Sequence, residues 1–564
     1  MAIVIAAALA ILSPELVTGL TVTDNFRFNL LWPQQFAELF RGGLLYPRWL
    51  PSSWHGLGSP NFYFYPPLFF WVTAVVDSAT GGTLPAERFV PFASLVILIA
   101  SGLSMRCWLL TKVSSRRASV GAIAYMLAPY HLYDLYGRGA LAEASAYASV
   151  PVIMLALARL GDNRTAYLPV LAIGYCALLL SNLPAALLAS VFLIPAYVLF
   201  VAGRSASPFR FVTQALIGGI LGLSLAAIYL VPAIMLLPYV SSQALSGSFY
   251  RPENWFFWHL HAGTMAGRMY LIVPICVAAS LLAGATIVGA RFGRAHREPF
   301  FWAGLTLILV AVIAGLVPCI WKLPGLRFVQ FPWRMLFIVE FAVVTMLPMG
   351  VSKPRNILVL AGLATLGFAY AVLGFIASHM IGRTWDHRPQ IAAEIRSGFL
   401  DAPEYLPAGT RIEQGQGPDD VRIGLPRLPF VAAAENGARL AVSEGKDGGL
   451  AVKVDSPAPT RLTLRRSYFP HWQLHDGRGQ VVPITPERRM RVVTFVVPAG
   501  ASSFRLKVGP APYERAGELI TLAATACLML TLATLRMRNG PKLRPARIES
   551  RSSNLRNGSM QTLR

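Results

Sequence analysis

Apolar residues recur along this chain in long blocks, and short polar stretches separate the blocks. A helix needs about 20 apolar residues to cross the hydrocarbon layer of a membrane. The pattern therefore predicts a mainly α membrane protein with about twelve transmembrane helices. We place the spans near residues 2–20, 87–110, 117–131, 144–160, 166–181, 184–203, 211–236, 268–290, 299–320, 335–350, 355–378 and 514–535.

The segment 66–80 is apolar but short, and it opens with two prolines. If it crossed the membrane, the basic KVSSRR loop that starts at Lys112 would lie outside. If it lies on the membrane surface, that loop, the other basic loops and the tail from Arg536 all lie inside. Because basic residues concentrate on the cytoplasmic side, the charge pattern favours an interfacial helix. Both termini are then cytoplasmic, and residues 21–86 form the first outer loop.

The pattern changes after the polytopic membrane domain, residues 1–378. Residues 379–512 alternate apolar and polar positions, as in RLTLRRSYF and VVTFVVPAG, with Gly, Asp and Pro between the runs. Such alternation predicts a small antiparallel β-sandwich, which the topology puts on the outer face. Residues 513–536 are the final transmembrane helix, and residues 537–564 are a basic, disordered cytoplasmic tail.

Composition narrows the class further. The 564 residues are 55% hydrophobic and 14% charged, with a formal net charge of +23. In a soluble protein such an excess would suggest nucleic acid, but here positive-inside topology explains much of it, and we expect no nucleic-acid partner. The five cysteines lie in or beside apolar blocks, so no disulfide framework or cysteine metal site is predicted.

The first outer loop is unusually long, rich in aromatic residues and only sparsely charged. Plain connections are usually a few residues long, so this loop indicates a structure on the membrane surface near a lipid-borne substrate. Asp24, just past the first span, is a candidate acid–base residue, although a carboxylate there could simply mark the water boundary. Arg48 and Tyr65 are candidate residues for binding the donor.

A second group of ionisable residues follows the third predicted span. Asp134, Arg138 and Glu143 lie within YHLYDLYGRGALAEAS, and the four-residue step from Asp134 to Arg138 suits one helix face. Charged side chains at membrane depth are costly unless they line a polar cavity. Asp134 and Glu143 are therefore candidate catalytic carboxylates, and Arg138 is a candidate phosphate-binding residue. The alternative is an ion pair that caps a short helix.

A third group lies in LPGLRFVQFPWRML. The planar guanidinium of Arg334 suits a phosphate, and Gln330 is a further candidate for binding the donor. The alternative for Arg334 is an interfacial arginine anchored by Trp333. Asn182, in SNLP, interrupts an apolar run, and we interpret it as a helix N-cap.

Several segments together carry a family resemblance. They are TDNFRF, LLYPRWLPSSWHGLGSPNFYFYPPL, APYHLYDLYGRGALAEASA, SNLPAAL, LRFVQFPWR and DAPEYLP, spread over residues 21–407. Their order and spacing resemble the bacterial membrane proteins called 6-pyruvoyl-tetrahydropterin synthase-related, within the wider GT-C class of multispanning glycosyltransferases. The pterin part of that name does not carry over, because the nine histidines are scattered rather than grouped as a zinc site.

The resemblance implies a GT-C-like bundle with interfacial helices in the first outer loop. It implies a polyprenyl-phosphate sugar donor and a lipid or cell-envelope glycan acceptor, on the outer face of a bacterial inner membrane. Asp24 would be the base or a metal-linked carboxylate, and Asp134 or Glu143 the second acidic group. A divalent metal, if one binds, would use Asp24 and Asp134. However, Asn25 stands where many relatives carry a second charged or histidine residue.

Three functions fit this sequence. The first is an inverting membrane glycosyltransferase, in which Asp24 takes a proton from the acceptor and the arginines stabilise the departing phosphate. The second is a transporter or flippase of lipid-linked glycans, which would need polar groups through the cytoplasmic half, where the spans are mostly Ala, Leu and Val. The third is a non-catalytic factor for envelope assembly. The sequence favours the enzyme.

Overall fold

The computed structural model describes most of the chain. The described residues are 1–241, 250–259, 264–291, 297–349, 401–410, 412–414, 421–423, 431–445, 447–488, 491–509 and 511–539. The span predicted at 355–378, the start of the predicted outer domain and most of the predicted tail lie outside them.

The membrane part of the chain is helical. Eight helical segments of the described residues are long and apolar enough to cross a membrane. The helices are Ala2–Thr18 (α1), Phe26–Arg41 (α2), Ser53–Gly56 (α3), Asn61–Phe64 (α4), Leu68–Ala79 (α5), Ala86–Leu109 (α6), Ser115–Met126 (α7), Pro129–Tyr136 (α8), Leu141–Gly161 (α9), Leu168–Ser181 (α10), Leu183–Leu188 (α11), Ile194–Ala202 (α12), Pro208–Leu225 (α13), Ala227–Leu236 (α14), Thr264–Arg291 (α15), Arg297–Ala314 (α16), Leu336–Met349 (α17) and Pro512–Asn539 (α18).

The structure differs from the predicted spans at two places. The span expected at 117–131 is two short helices, α7 and α8, because the residue before Pro129 is extended, as sterics before a proline favour. The span expected at 211–236 is divided at Ala226 into α13 and α14. There Thr521 Oγ1, from α18, accepts a hydrogen bond from the backbone N–H of Ile228 at 2.9 Å, which satisfies a donor freed by the break.

The first outer loop begins and ends at one end of the helical bundle. The backbone N–H of Leu20, just after α1, donates to the carbonyl of Glu87 in α6 at 2.8 Å. Helix α5 has 12 residues, about 18 Å of helix, which is less than the roughly 30 Å of the hydrocarbon layer. Both observations support the prediction that segment 66–80 does not cross the membrane.

At the far end of α6 the predicted cytoplasmic loops meet. Lys112 Nζ forms an ion pair with Glu298, at the start of α16, at 2.8 Å. Ser205, between α12 and α13, donates from Oγ to the carbonyl of Gly161 at the end of α9. These contacts join the predicted cytoplasmic loops in two pairs, those at Lys112 and Glu298 and those at Gly161 and Ser205, in agreement with the distribution of basic residues.

The C-terminal region forms two antiparallel sheets that pack as a β-sandwich, which confirms the fold predicted for this region. Its strands are Ile412–Gln414 (β1), Val421–Ile423 (β2), Ala432–Ala434 (β3), Arg439–Glu444 (β4), Leu450–Ser456 (β5), Thr460–Ser467 (β6), Trp472–Asp476 (β7), Val481–Val482 (β8), Thr485–Pro486 (β9), Val492–Val497 (β10) and Gly500–Val508 (β11). The four-stranded sheet has the order β3-β6-β10-β9 and the five-stranded sheet the order β4-β5-β11-β7-β8, while β1 and β2 form a separate hairpin. Alternate residues of both sheets, such as Val452 and Leu464, fill one shared core.

The β-sandwich is fastened to the first outer loop by a buried arginine. Arg466 donates from Nε to the carbonyl of Gly448 at 2.6 Å and from Nη1 to the carbonyl of Gly56 at 2.9 Å. Its Nη2 forms an ion pair with Glu444. The loop is strained here, since Trp54 and His55 both have positive φ, a conformation that costs an L-residue roughly 1–2 kcal/mol.

Candidate functional site

Helix α8 carries the central residues of the candidate site, and a buried carboxylate holds its N-terminus. Glu340, in α17, accepts hydrogen bonds from the backbone N–H groups of Tyr130 and His131 at 2.6 and 3.2 Å. It also accepts a bond from the hydroxyl of Tyr147 at 2.9 Å. A negative charge at a helix N-terminus satisfies unpaired N–H groups and is favoured by the helix dipole. Glu340 thereby fixes the helix that presents Asp134.

Arg138 lies at the centre of a buried cluster of polar side chains. Its Nη1 donates to Tyr130 Oη at 2.7 Å, to Asp134 Oδ1 at 2.6 Å and to Glu143 Oε2 at 3.1 Å. Tyr130 donates in turn to Glu143 Oε1 at 2.7 Å. The ion pair of Asp134 with Arg138, which the sequence left open as the alternative to a functional role, is present. Arg138 makes all three of these hydrogen bonds through Nη1, so they do not involve its Nε or Nη2.

Arg334 joins this cluster from a distant part of the chain. Its Nε lies 3.3 Å from Glu143 Oε2, which is an ion pair without hydrogen-bond alignment. Its Nη1 donates to the carbonyl of Val329 at 3.0 Å, and its guanidinium lies over the Phe331 ring. Gln330, in the same turn, has φ of 71°, a left-handed conformation. Backbone strain of this kind is common at binding sites.

The acids and the arginines of the cluster differ in exposure. Asp134 and Glu143 are 0% and 2% exposed, whereas Arg138 and Arg334 are 7% and 13% exposed. The two arginine side chains are therefore slightly more accessible to an approaching anion than the acids that hold them. Paired arginines of this kind suit the oxygens of a phosphate. Together with Tyr130, these side chains are called the arginine cluster below.

The first outer loop lies against the turn that carries Arg138. The backbone N–H groups of Asp24 and Asn25 donate to the carbonyls of Gly137 and Arg138 at 3.2 and 3.0 Å. Gly139 has φ of 63°, and a Cβ there would come within 2.0 Å of Thr23 Oγ1, so only glycine fits. The backbone of Asp24 is therefore beside the arginine cluster, while its side chain is exposed.

Tyr65 is also beside the arginine cluster. Burial raises the pKa of its hydroxyl to about 12, and the charges of Arg334, Glu143 and Arg138 also act on it. The side chain is partly exposed, and its ring packs edge-on against Trp32 with centroids 4.9 Å apart. Tyr65 is therefore a neutral hydroxyl donor next to two arginines.

Arg48 lies in a different group of contacts. Its Nη2 donates to the carbonyl of Ile228 at 3.2 Å, and its guanidinium lies 4.4 Å from the centre of the Tyr46 ring and 5.5 Å from that of Tyr63. Tyr63 donates to Glu514, at the start of α18. In the described part of the chain these contacts join the first outer loop to the last helices, and they do not bring Arg48 to the arginine cluster.

Two acids that the sequence interpretation did not select also lie here. Asp401 accepts hydrogen bonds from Trp32 Nε1 at 2.7 Å and from Asn61 Nδ2 at 3.0 Å. Glu404 is partly exposed, and burial raises its pKa to about 7. Both residues belong to DAPEYLP, one of the segments that carried the resemblance. That motif was the available signal for them.

The donor atoms do not suit a divalent metal. Asp134 lies against the Arg138 cation, and repulsion between the two cations would oppose binding of a metal ion at that carboxylate. Among the described residues, no three His, Cys, Asp or Glu side chains come together as a metal site would need. We therefore assign no metal and use none in the chemistry below.

No family model matches this chain, and no curated protein matches it. Solved structures do. The arabinofuranosyltransferase AftD from Mycobacteria is 16% identical with a TM-score of 0.41, over 68% of this chain and 26% of that one. The oligosaccharyltransferase AglB from Archaeoglobus fulgidus, solved with an inhibitory peptide and a dolichol-phosphate, is 11% identical with a TM-score of 0.34, over 71% of this chain and 56% of that one.

A second structure of the Archaeoglobus fulgidus oligosaccharyltransferase, with zinc and sulfate, has a TM-score of 0.32 at 16% identity, over 71% of this chain and 53% of that one. This chain thus spans about a quarter of AftD and about half of the oligosaccharyltransferase. All three scores lie below 0.5, so the proposal that follows is argued from the geometry of this chain. The chain itself is a multi-pass, mainly α membrane protein with a β-sandwich domain.

Proposed function

We propose that this protein is a membrane glycosyltransferase of the GT-C type. It moves a sugar from a polyprenyl-phosphate donor to a lipid or cell-envelope glycan acceptor, on the outer face of a bacterial inner membrane. The observation that carries the proposal is the arginine cluster, in which Arg138 and Arg334 share Glu143 next to the backbone of the first outer loop.

The cluster suits the phosphate end of such a donor. Arg138 and Arg334 are already ordered by Glu143, so binding a phosphate costs little further loss of side-chain freedom. Tyr65 adds a neutral hydroxyl donor. Aromatic residues of the loop, among them Trp32 and Phe28, lie next to these groups and would accommodate the apolar chain and the sugar ring.

The chemistry is a single displacement at the anomeric carbon. The acceptor hydroxyl forms the new C–O bond while the bond from that carbon to the phosphate oxygen breaks, and the proton of the hydroxyl passes to a carboxylate. Negative charge grows on the leaving phosphate, where Arg138 and Arg334 stabilise it. Preorganised cations in a water-poor site contribute on the order of several kcal/mol to such a step. The displacement inverts the anomeric centre.

Asp24 is the acid that the sequence offers for the proton. Its backbone is tied to the turn of Arg138, which supports a place at the edge of the site. Since its side chain is exposed, replacing it with Asn removes its charge with little change in volume. Asp24→Asn therefore tests its role directly.

The proposal is tested with purified protein in lipid vesicles. The protein is incubated with labelled polyprenyl-phosphate and polyprenyl-diphosphate sugars and with envelope lipid, and products are scored for a new glycosidic bond. We expect transfer from at least one donor, and tighter binding of polyprenyl phosphate than of the uncharged polyprenol.

Absence of sugar transfer from every donor would overturn the proposal, whether or not polyprenyl phosphate binds. Movement of the labelled donor across the vesicle membrane without a new glycosidic bond would instead assign a transporter. In that case Arg138→Lys and Arg334→Lys would slow translocation, because the same phosphate would still pass the arginine cluster.

A further inference from the structure

We propose that Glu404 is the general base of this reaction, the residue that takes the proton from the acceptor hydroxyl. The inference rests on the proposed function and deepens it. It starts from three observations: the segment that carries Glu404 is anchored to the first outer loop, its charge acts on Tyr65, and the buried acids Asp134 and Glu143 are held by the arginines or out of reach of an acceptor.

The segment is anchored through Asp401. Besides the bonds from Trp32 and Asn61, Asp401 Oδ1 accepts one from the backbone N–H of Ala402 at 2.7 Å. Asp401 is 4% exposed and 369 positions from Trp32 in the sequence. A buried carboxylate with three donors is strongly held. It fixes the start of the short 3-10 turn Pro403–Tyr405.

The other end of the turn is fixed as well. The Tyr405 ring stacks on Phe64 with centroids 5.8 Å apart and lies 6.3 Å from the Trp32 ring. The backbone N–H of Ser241 then donates to the carbonyl of Leu406 at 2.8 Å. Glu404 therefore sits on a turn held at both ends, as a positioned catalytic group requires.

Glu404 and the arginine cluster act on the same side chain. The charges of Arg334, Glu143, Arg138 and Glu404 all affect the hydroxyl of Tyr65. Helix α2 joins the two groups directly, because Asn29 Nδ2 donates to the carbonyl of Gly139, next to Arg138, at 2.8 Å, and Trp32, one turn later, donates to Asp401 at 2.7 Å. In this arrangement, a donor phosphate on the arginines would put its anomeric carbon within reach of an acceptor hydroxyl activated by Glu404.

The other buried acids are less suitable as bases. Glu143 accepts from Tyr130 with Oε1 and faces Arg138 and Arg334 with Oε2. Asp134 is 0% exposed and bonded to Arg138. Both oxygens of Glu143 already accept charge-assisted or hydroxyl bonds, so it gains little by taking a proton. Asp134 has no hydrogen-bond partner at Oδ2 among the described residues, but it is fully buried and out of reach of an acceptor hydroxyl. These two residues order the arginines instead.

The acidity of Glu404 fits the role. Burial raises its pKa to about 7, and the nearby carboxylate of Asp401 raises it further. The groups that face it are Asp401, Tyr65 and Tyr405. A base with a pKa near the working pH combines a sizeable ionised fraction with a useful affinity for the proton. Because only the ionised form accepts a proton, the transfer rate should rise with pH through about 7.

The experiment compares Glu404→Gln with Asp24→Asn and with Glu435→Gln as the matched control. Glu435 is exposed and lies on the β-sandwich, away from the cluster. Initial rates of transfer are measured from pH 5.5 to 8.5 (a range of about three units around neutrality), together with binding of polyprenyl phosphate. We expect Glu404→Gln to lower the rate about 10²- to 10⁴-fold, to abolish the rise near neutral pH and to leave binding unchanged. Glu435→Gln should behave as wild type.

Other outcomes would overturn the inference and are distinguishable from a failure of the proposed function. If Glu404→Gln keeps a near-normal rate with the same dependence on pH, Glu404 is not the base. If Asp24→Asn alone removes the rise, the base is Asp24. If the wild-type protein transfers no sugar but binds polyprenyl phosphate, the proposed function itself fails and Glu404 has no base role. A Glu404→Asp variant with partial activity would show that loss in Glu404→Gln is not misfolding.

Discussion

Two buried arginines, Arg138 and Arg466, show how differently one side chain is used in this protein. Arg466 donates from all three nitrogens, to two glycine carbonyls from different parts of the chain and to Glu444. Arg138 makes its three bonds from Nη1 alone, and all go to side chains.

The difference separates a structural arginine from the one that we propose binds phosphate. The donors of Arg466 are committed to fixed backbone acceptors and its side chain is 0% exposed, so nothing further can reach it. Arg138 pairs with the buried acids Asp134 and Glu143 and shares Glu143 with Arg334, and the two arginine side chains are 7% and 13% exposed. Burial of a charged side chain therefore does not by itself indicate function. The groups that pair with the buried charge distinguish the two cases.

The largest expected effect is at Arg334, in the arginine cluster. Replacing Arg334 with Ala should lower kcat/KM for sugar transfer about 10²- to 10³-fold, the usual cost of removing one donor to a developing anion. The protein should remain folded, because Arg334 is only partly buried and Glu143 keeps Arg138. The measurement is steady-state transfer with thermal unfolding in detergent alongside.

Arg327 provides the control for that prediction. It lies in the same segment, is exposed and rests over the Phe328 ring. Arg327→Ala should leave kcat/KM within about twofold of wild type, since exposed substitutions usually cost less than 0.5 kcal/mol. Equal losses in the two variants would mean that Arg334 acts only through general surface charge.

On the structural side, Arg466→Met should destabilise the protein by about 2–3 kcal/mol, because the carbonyls of Gly448 and Gly56 lose their donor. The effect should be seen as a lower midpoint of thermal unfolding, with kcat/KM of the remaining folded protein little changed. Arg461→Met is the control, because Arg461 is exposed and its ion pair with Glu435 is long, at 3.9 Å. If Arg466→Met lost activity without losing stability, the distinction drawn here would be wrong.

A smaller effect is expected at Tyr65. Tyr65→Phe removes one neutral hydrogen bond to the donor, worth roughly 0.5–1.5 kcal/mol, so transfer should slow by about tenfold or less. Because the pKa of Tyr65 is raised to about 12, its hydroxyl keeps its proton at every pH at which the enzyme would be assayed. The pH profile of Tyr65→Phe should therefore match that of the wild type, and a changed profile would contradict a donor role.

The smallest effect is expected at Gln330. Its φ of 71° is unfavourable for any residue but glycine, so Gln330→Gly should stabilise the turn by up to about 1 kcal/mol, provided that the glutamine side chain makes no contact with the donor. Gln330→Val should be destabilising, since a β-branched residue is poorly accommodated there. Thermal unfolding measures both, and loss of transfer in the glycine variant at full stability would show that the amide binds the donor, as the sequence predicted.

The sequence predicted those parts of the site that depend on neighbours in the chain. Asp134 and Arg138 are four residues apart, and the turn that ends α8 brings the two together. Asn182 caps the helix that follows it, accepting a bond from the backbone N–H of Ala185 at 2.9 Å, as predicted. Alternation of apolar and polar residues likewise predicted the β-sandwich.

Long-range neighbours could not be predicted in this way. Arg48 and Arg334 are both arginines in aromatic segments, and no local pattern indicates that one meets Glu143 and the other Ile228. The sequence interpretation missed Glu404 for the same reason, because nothing in DAPEYLP indicates that this segment packs against the first outer loop.

The sequence by itself determined that this is a membrane protein with a C-terminal β-sandwich, because hydrophobic length and alternation are local properties that solvent and lipid act on directly. Only the tertiary structure decided which charges meet. Arg334 reaches Glu143, and Asp401 reaches Trp32, across separations that chain connectivity leaves open. Those pairings follow from how the helices and the first outer loop pack, since burying a charge is tolerated only where the folded chain supplies its partner.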